Sequence, residues 1–348
     1  MVDYLIVGAG LAGISFAETL LQQQKTFVVI DSPITNSSRV AGGLYNPVVL
    51  KRFTLIWEAE EQLEVLSSFY ASIEHRLGEQ FDYKLPVLRK FTSVEEQNNW
   101  FIAADKRGLD AYLSTTLHLA TYHGVDSPFH FGEVLHTGYV DVAKLVEQYQ
   151  HYLNQHNYFL QEKFIHAELQ LNAHSIAYHG IEAKHIVFAE GFAMHENPWF
   201  NELPLDGVKG ELLLIHAPSL QLDKILNSAV FILPLGNGLF KVGATYNWSD
   251  KSANPTQEGK TELIQKLKEV LQCEFEVVDH FAGIRPTVKD RKPLLGTHET
   301  HSRLHLLNGL GTRGVLLGPY LAKLLYNHIE YNQPLSIEID VKRYSKKK

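Results

Sequence analysis

The sequence predicts an α/β fold in which a parallel sheet is combined with an antiparallel one, and three observations predict it. The chain opens on an apolar run, Val2 to Val7, that passes directly into a glycine-spaced turn, Gly8-Ala9-Gly10-Leu11-Ala12-Gly13. After a helical stretch at 14–24, a second apolar strand, Thr26 to Ile30, ends on the acid Asp31. Far along the chain, strand signals separated by Pro and Gly turns cluster between Val208 and Thr245, the pattern of an antiparallel sheet.

The opening order of strand, glycine turn and helix is that of a dinucleotide site. Gly8 allows a sharp turn, Gly10 lets the backbone approach a pyrophosphate, and Gly13 lets the helix lie close to the strand. The unpaired N–H groups and dipole of that helix then face the phosphates. Asp31 is placed to accept hydrogen bonds from a ribose. The segment from Ser37 to Pro47 has no apolar periodicity and is rich in small residues, so its backbone N–H groups can crowd around a second stretch of the same ligand.

Further elements follow in order. A long helical pattern covers 55–78, strands fall near Tyr83 to Arg89, and an amphipathic helix runs from Val94 to Arg107. Gly138 to Asp141 open a helix at 141–155, followed by short strands at 158–164, 167–172 and 175–179. The run from Ala183 to Gly191 reads as a buried strand that ends against a ligand. Within the antiparallel region strands are expected at Glu211 to His216, Val230 to Pro234 and Leu239 to Thr245, then a helix at 258–271 and a strand at Phe275 to Phe281. The chain closes with a strand at 304–307, the turn Asn308 to Gly314, and a helix from about 315 to 330.

Composition narrows the function classes. At 348 residues the chain exceeds the usual single-domain size, and 45% hydrophobic with 20% charged residues is ordinary for a globular protein. No segment reaches the roughly 20 apolar residues of a membrane span, and the N-terminal apolar run lacks the basic leader of a signal peptide. A net charge of -7 argues against nonspecific nucleic-acid binding. The basic run Lys342 to Lys348 reads as a solvated end, and the pair Lys51-Arg52 as a solvated turn. One cysteine, Cys273, excludes an intramolecular disulfide and fits a reducing cytoplasm. His298, Glu299, His301 and His305 fall between a turn and a strand rather than on one helix face, so no metal site is expected among the 18 histidines.

The second glycine turn, before the last helix, decides the cofactor. A plain nicotinamide enzyme rarely needs such a loop, whereas a larger dinucleotide lying across the sheet uses it at its ring end, so FAD is favoured. The helix start would stabilise the negative charge that the flavin pyrimidine edge gains on reduction.

Taken in order, GAGLAG, AGGLYNP, VKGELLLI, FILPLGNGLFKVGAT, AGIRPTVKDRKPLLG and NGLGTRGVLLGP resemble the D-amino-acid oxidase (DAO) superfamily of flavoenzymes across nearly the whole chain. Within it the chain is similar to glycine oxidases and to the oxidase domain of a tRNA-modifying enzyme. The resemblance implies a Rossmann-like FAD-binding domain built from 1–80, 138–205 and 280–348. An antiparallel α+β substrate domain is implied at 81–137 and 206–279. It implies noncovalent FAD and oxidation of a carboxylate-bearing amine, with O2 or another acceptor completing turnover. A noncatalytic flavin-binding subunit, or a flavoprotein dehydrogenase with a non-amine donor, is the alternative.

The implied cofactor contacts follow the same segments. The first turn supplies Gly8, Gly10, Leu11, Ala12 and Gly13, and the second strand supplies Asp31 and Ser32. The small-residue segment adds Ser37, Ser38, Ala41, Gly42, Gly43 and Leu44. Phe164, Ala189 and Gly191 come from the middle of the chain, and Gly309, Leu310, Gly311, Thr312, Arg313, Gly314 and Val315 from the second turn.

For substrate, Arg285 lies between Ile284 and Pro286, where an idle guanidinium is costly; a substrate carboxylate takes its fork bidentately. An ion pair with Asp290 is the structural alternative. Arg313 is a second candidate, although glycine oxidases carry their arginine where this chain has Thr312. Phe231 stands where those enzymes place a substrate-contacting tyrosine, which removes a hydroxyl that could select small amino acids. No side chain is expected as an essential acid or base.

Overall fold

The computed structural model describes residues 1–32 and 37–345. β1 (Val2–Val7) is followed by α1 (Leu11–Gln22) and β2 (Phe27–Asp31). β1 lies parallel to β2 on one side, Val7 opposite Ile30, and to Ile181–Phe188 on the other, Val7 opposite Phe188. Phe159–Gln161 continues the sheet beyond β2, and Leu304–Asn308 pairs in parallel with the second half of Ile181–Phe188. Successive residues of β1 serve opposite faces: Tyr4 and Ile6 join the helical core, Leu5 and Val7 the core built on Phe188 and Phe200. Burial on both faces is why these strands read as unbroken apolar runs.

α1 packs against the closing helix Gly314–Tyr331 at small residues, since a Cβ on Gly318 would lie 2.6 Å from Ser15 Oγ. Glu18, wholly buried on α1, accepts hydrogen bonds from Arg76 at 3.2 Å, Tyr149 at 3.0 Å and Ser72 at 2.9 Å, tying in the helices Ala59–Leu77 and Val142–Gln155. Replacing Arg76 with methionine leaves a buried carboxylate with neutral donors only, so a loss of about 3 kcal/mol in unfolding free energy is expected. A urea titration reads it, and an unchanged midpoint would remove Glu18 as an electrostatic anchor.

The second sheet is almost entirely antiparallel. Its spine is the long pair Leu205–His216 and Glu276–Val288, in which Val208 faces Arg285 and Gly210 faces Gly283. Outward from it come Leu239–Gly243, Phe231–Gly236, Ile225–Asn227, Val87–Lys90, Phe131–Val134 and Leu113–His118, with Ile225–Asn227 and Val87–Lys90 the parallel pair. The helix Gln257–Lys268 covers one face, its Leu263 and Leu267 meeting Leu213, Ile215 and Val242. The domain limits expected at 206 and 280 both fall within the spine pair, which belongs wholly to the second sheet.

Several elements differ from the sequence reading. The strand expected to stop at Phe281 continues through Pro286 to Val288, and its place at the edge of the sheet is what tolerates the proline. The helix expected from 55 begins at Ala59, because Thr54–Leu55 instead pairs with Val48–Val49. The C-terminal basic run is not simply solvated: Val341–Tyr344 forms a helical turn, with Arg343 Nε 3.3 Å and the Tyr344 hydroxyl 2.6 Å from Asp290. Lys346 to Lys348 lie outside the described residues. No helix among the described residues is long and apolar enough to cross a membrane.

Candidate functional site

A cavity of about 880 Å³ runs from the first glycine turn to Arg285. Its near end is set by close backbone approaches. Gly8 has φ +105°, and a Cβ there would lie 2.5 Å from Ala189 O. A Cβ on Gly13 would lie 1.8 Å from Gly8 O, so β1 and the start of α1 meet without room for a side chain. Asp31 Oδ2 accepts from Ala9 N at 2.9 Å, and Ser38 Oγ accepts from Leu11 N at 3.0 Å. The Ala12 N–H, at the start of α1, has no partner among the described residues.

The small-residue segment threads between the sheets. Ser37 Oγ donates to Ile284 O at 2.6 Å. Gly43 has φ +74°, and a Cβ there would lie 2.0 Å from Val140 O. The Phe231 ring tip rests over Gly42, 2.8 Å from where a Cβ would be. At the far end Asn308 Nδ2 donates to Gly191 O at 2.9 Å, and Gly311 N to Pro286 O at 2.9 Å, which brings the second turn to the edge strand.

Of the residues expected to bind cofactor or substrate, Gly13 and Gly309 do not line the cavity and the others do. Both glycines shape the backbone behind it. Gly309 has φ +76° and would meet Val288 Cγ2 at 2.9 Å if it carried a Cβ.

Arg285 is half-buried and has no acid within ion-pair distance among the described residues. The alternative partner, Asp290, is taken by Arg343 and Tyr344. Arg285 Nη1 donates to Thr245 O at 3.2 Å, and the Tyr246 ring centroid lies 4.7 Å from the guanidinium carbon. The guanidinium lies over Gly210, whose Cβ, if present, would sit 1.9 Å from Nη2. Burial pulls the guanidinium's proton affinity below its usual value, with Tyr246 opposing. Arg313 shares this: burial first and then Arg291 lower its pKa, again with Tyr246 opposing.

Sequence reasoning missed Gly210 and Tyr246. A lone glycine inside the apolar run VKGELLLI was the available signal for the first. It also missed His166 and Glu190, which line the cavity 2.7 Å apart beside Phe164.

Comparisons with known proteins bear on this geometry. The family described as DAO, FAD dependent oxidoreductase, matches residues 3–327. Glycine oxidase of Bacillus subtilis is 34% identical over 161 residues, 43% of each chain. The tRNA 5-methylaminomethyl-2-thiouridine biosynthesis bifunctional protein MnmC of Nitrosospira multiformis is 29% identical over 160 residues, 42% of this chain and 26% of that protein. The matches thus span less than half the length of these relatives. In fold, the chain is similar to glycine oxidase from Bacillus cereus, with a TM-score of 0.75 over 96% of both chains at 18% identity. The chain belongs to the DAO family of FAD-dependent oxidoreductases, and FAD is its cofactor.

Proposed function

We propose that the chain oxidises the carbon–nitrogen bond of a carboxylate-bearing amine, an amino acid or N-substituted glycine, with FAD held noncovalently along the cavity. The observation that carries this reading is Arg285, a half-buried cation without an acid partner among the described residues, lying on a glycine shelf in the cavity wall. One N–H is spent on Thr245 O, and the remaining fork matches a carboxylate. The glycine cradle suits FAD: Gly8 and Gly13 admit no Cβ, and the Ala12 N–H at the α1 start, unpaired among the described residues, suits a phosphate oxygen.

When bound, FAD supplies the two-electron acceptor for the reaction. The chain's own part is binding and orientation. Arg285 would fix the carboxylate, which sets where the substrate's Cα hydrogen points. Arg313, at the N-cap of the closing helix, adds positive potential to the same end of the cavity. Phe231 presents an apolar wall over Gly42 rather than a hydroxyl. Cys273 packs near Gly124 and does not line the cavity, which supports noncovalent binding, and its being the sole cysteine supports a reducing cytoplasmic setting.

Anaerobic titration of the FAD-loaded protein with D-amino acids, glycine, sarcosine and larger N-substituted glycines tests the reading. Bleaching of the flavin absorbance by one of these classes is expected. A spectrum that none of them bleaches would favour a non-amine donor or a noncatalytic role.

A further inference from the structure

The cavity that holds Arg285 abuts a second one of about 790 Å³, and the two share Asn46, Val48, Asn227, Ser228 and Tyr246 as walls. Tyr246, 62% exposed, stands between them with its ring over Arg285. Lys51, read from sequence as part of a solvated turn, lines the second cavity.

The shared wall is rich in unspent donors. Arg89 donates to Glu96 at 2.7 Å and, through Nη1, to Asn227 Oδ1 at 3.0 Å. Val48 N donates to Asn46 Oδ1 at 2.7 Å. Because an arginine and a backbone N–H can only donate, both asparagines must turn their oxygens to these partners, and their amide nitrogens remain. Among the described residues those two nitrogens and the Ser228 hydroxyl have no hydrogen-bond partner, and Lys51 has no acid partner. The acids that line this cavity, Glu95 and Glu96, stand on the outer helix Val94–Ala104, and Glu96 is already held by Arg89.

We infer that the second cavity is a subsite for the far end of the substrate, and that this end carries oxygen acceptors, as a carboxamide or carboxylate does. The inference rests on the reading of Arg285 as the carboxylate clamp. The substrate is then an amino acid or N-substituted glycine with a long arm, its carboxylate at Arg285 and its arm passing Tyr246 to the Asn46–Asn227–Ser228 wall. A substrate group that accepts from these donors gains a net hydrogen bond of about 1 kcal/mol each over an analogue that leaves them to water.

The test uses thioether acids, in which sulfur replaces the amine nitrogen so that no oxidation occurs. Two are compared, with arms of equal length tipped by a carboxamide or by a methyl group. Calorimetric titration of the FAD-loaded protein is expected to show the carboxamide binding about tenfold tighter. Asn99→Trp, from an exposed position lining only the second cavity, is expected to abolish that preference and leave the affinity for the methyl-tipped thioether acid and the flavin content unchanged. Glu95→Trp, also exposed, serves as the second filling variant. Equal affinity for the two tips, or a preference that survives both fillings, overturns the subsite. If amines bleach the flavin while the tips bind equally, the subsite alone falls. If the tip preference holds and no amine bleaches the flavin, the subsite stands and the oxidase reading falls.

Discussion

Arg285→Ala is expected to raise the KM of a carboxylate-bearing amine by roughly ten- to a hundredfold for each hydrogen bond lost, the equivalent of about 1.5 to 3 kcal/mol per charge-assisted bond. A fall in kcat should accompany it, because a substrate no longer held by its carboxylate presents its Cα hydrogen in many orientations. Arg285→Lys keeps the charge but not the fork, so it should recover only part of the loss. The geometry offers an independent route to the same result. Gly210→Ala would place a Cβ 1.9 Å from Arg285 Nη2 and expel the guanidinium from its shelf without altering the arginine itself. The two variants should therefore share a kinetic signature while retaining the flavin spectrum. Steady-state kinetics on both checks this, and unchanged KM in both would remove Arg285 from substrate binding.

The parts of this site that were legible in the sequence are those whose physics is local. A glycine at fixed spacing after an apolar run announces a turn and a close approach, which is why Gly8, Gly13 and the turn at 308–314 could be read directly. Arg285 was legible because a cation between Ile284 and Pro286 is conspicuous. Gly210 and Tyr246 acquire their meaning only through pairing between distant segments. Gly210 matters because it faces Gly283 across the spine pair, which brings Arg285 above it. Tyr246 is carried by a segment clasped to wholly buried Lys209, whose ammonium lies 2.5 Å from Asp250 and whose backbone N donates to Asn247 O at 2.9 Å. The hairpin of Leu113–His118 with Phe131–Val134 was also missed: Ser114, Thr115 and Thr116 break any apolar alternation, and a register shift interrupts the pairing.

Gly13→Val is expected to give a protein that purifies without bound FAD and is destabilised by more than about 4 kcal/mol. The first Cβ atom alone would fall 1.8 Å from Gly8 O, a backbone atom that cannot rotate away. Gly8 cannot retreat, because at φ +105° it already faces Ala189 O with no space for a side chain. α1 must therefore move, yet Leu11, Ile14, Phe16 and Leu20 are buried in the core it shares with the closing helix. Shifting it both opens that packing and turns the Ala12 N–H away from the cavity, so stability and cofactor retention should fall together. Gly180→Ala makes the control. It has φ +80° but no atom within 4 Å of its Cβ position, so it should cost only the left-handed backbone penalty of about 1 to 2 kcal/mol and keep its flavin. Flavin content at 1:1 in purified Gly13→Val would show that the close approach of α1 to β1 is not what holds the cofactor. The expected contrast, colourless Gly13→Val beside yellow Gly180→Ala, separates a side chain forced into the approach of α1 to β1 from one added to a left-handed glycine in open space.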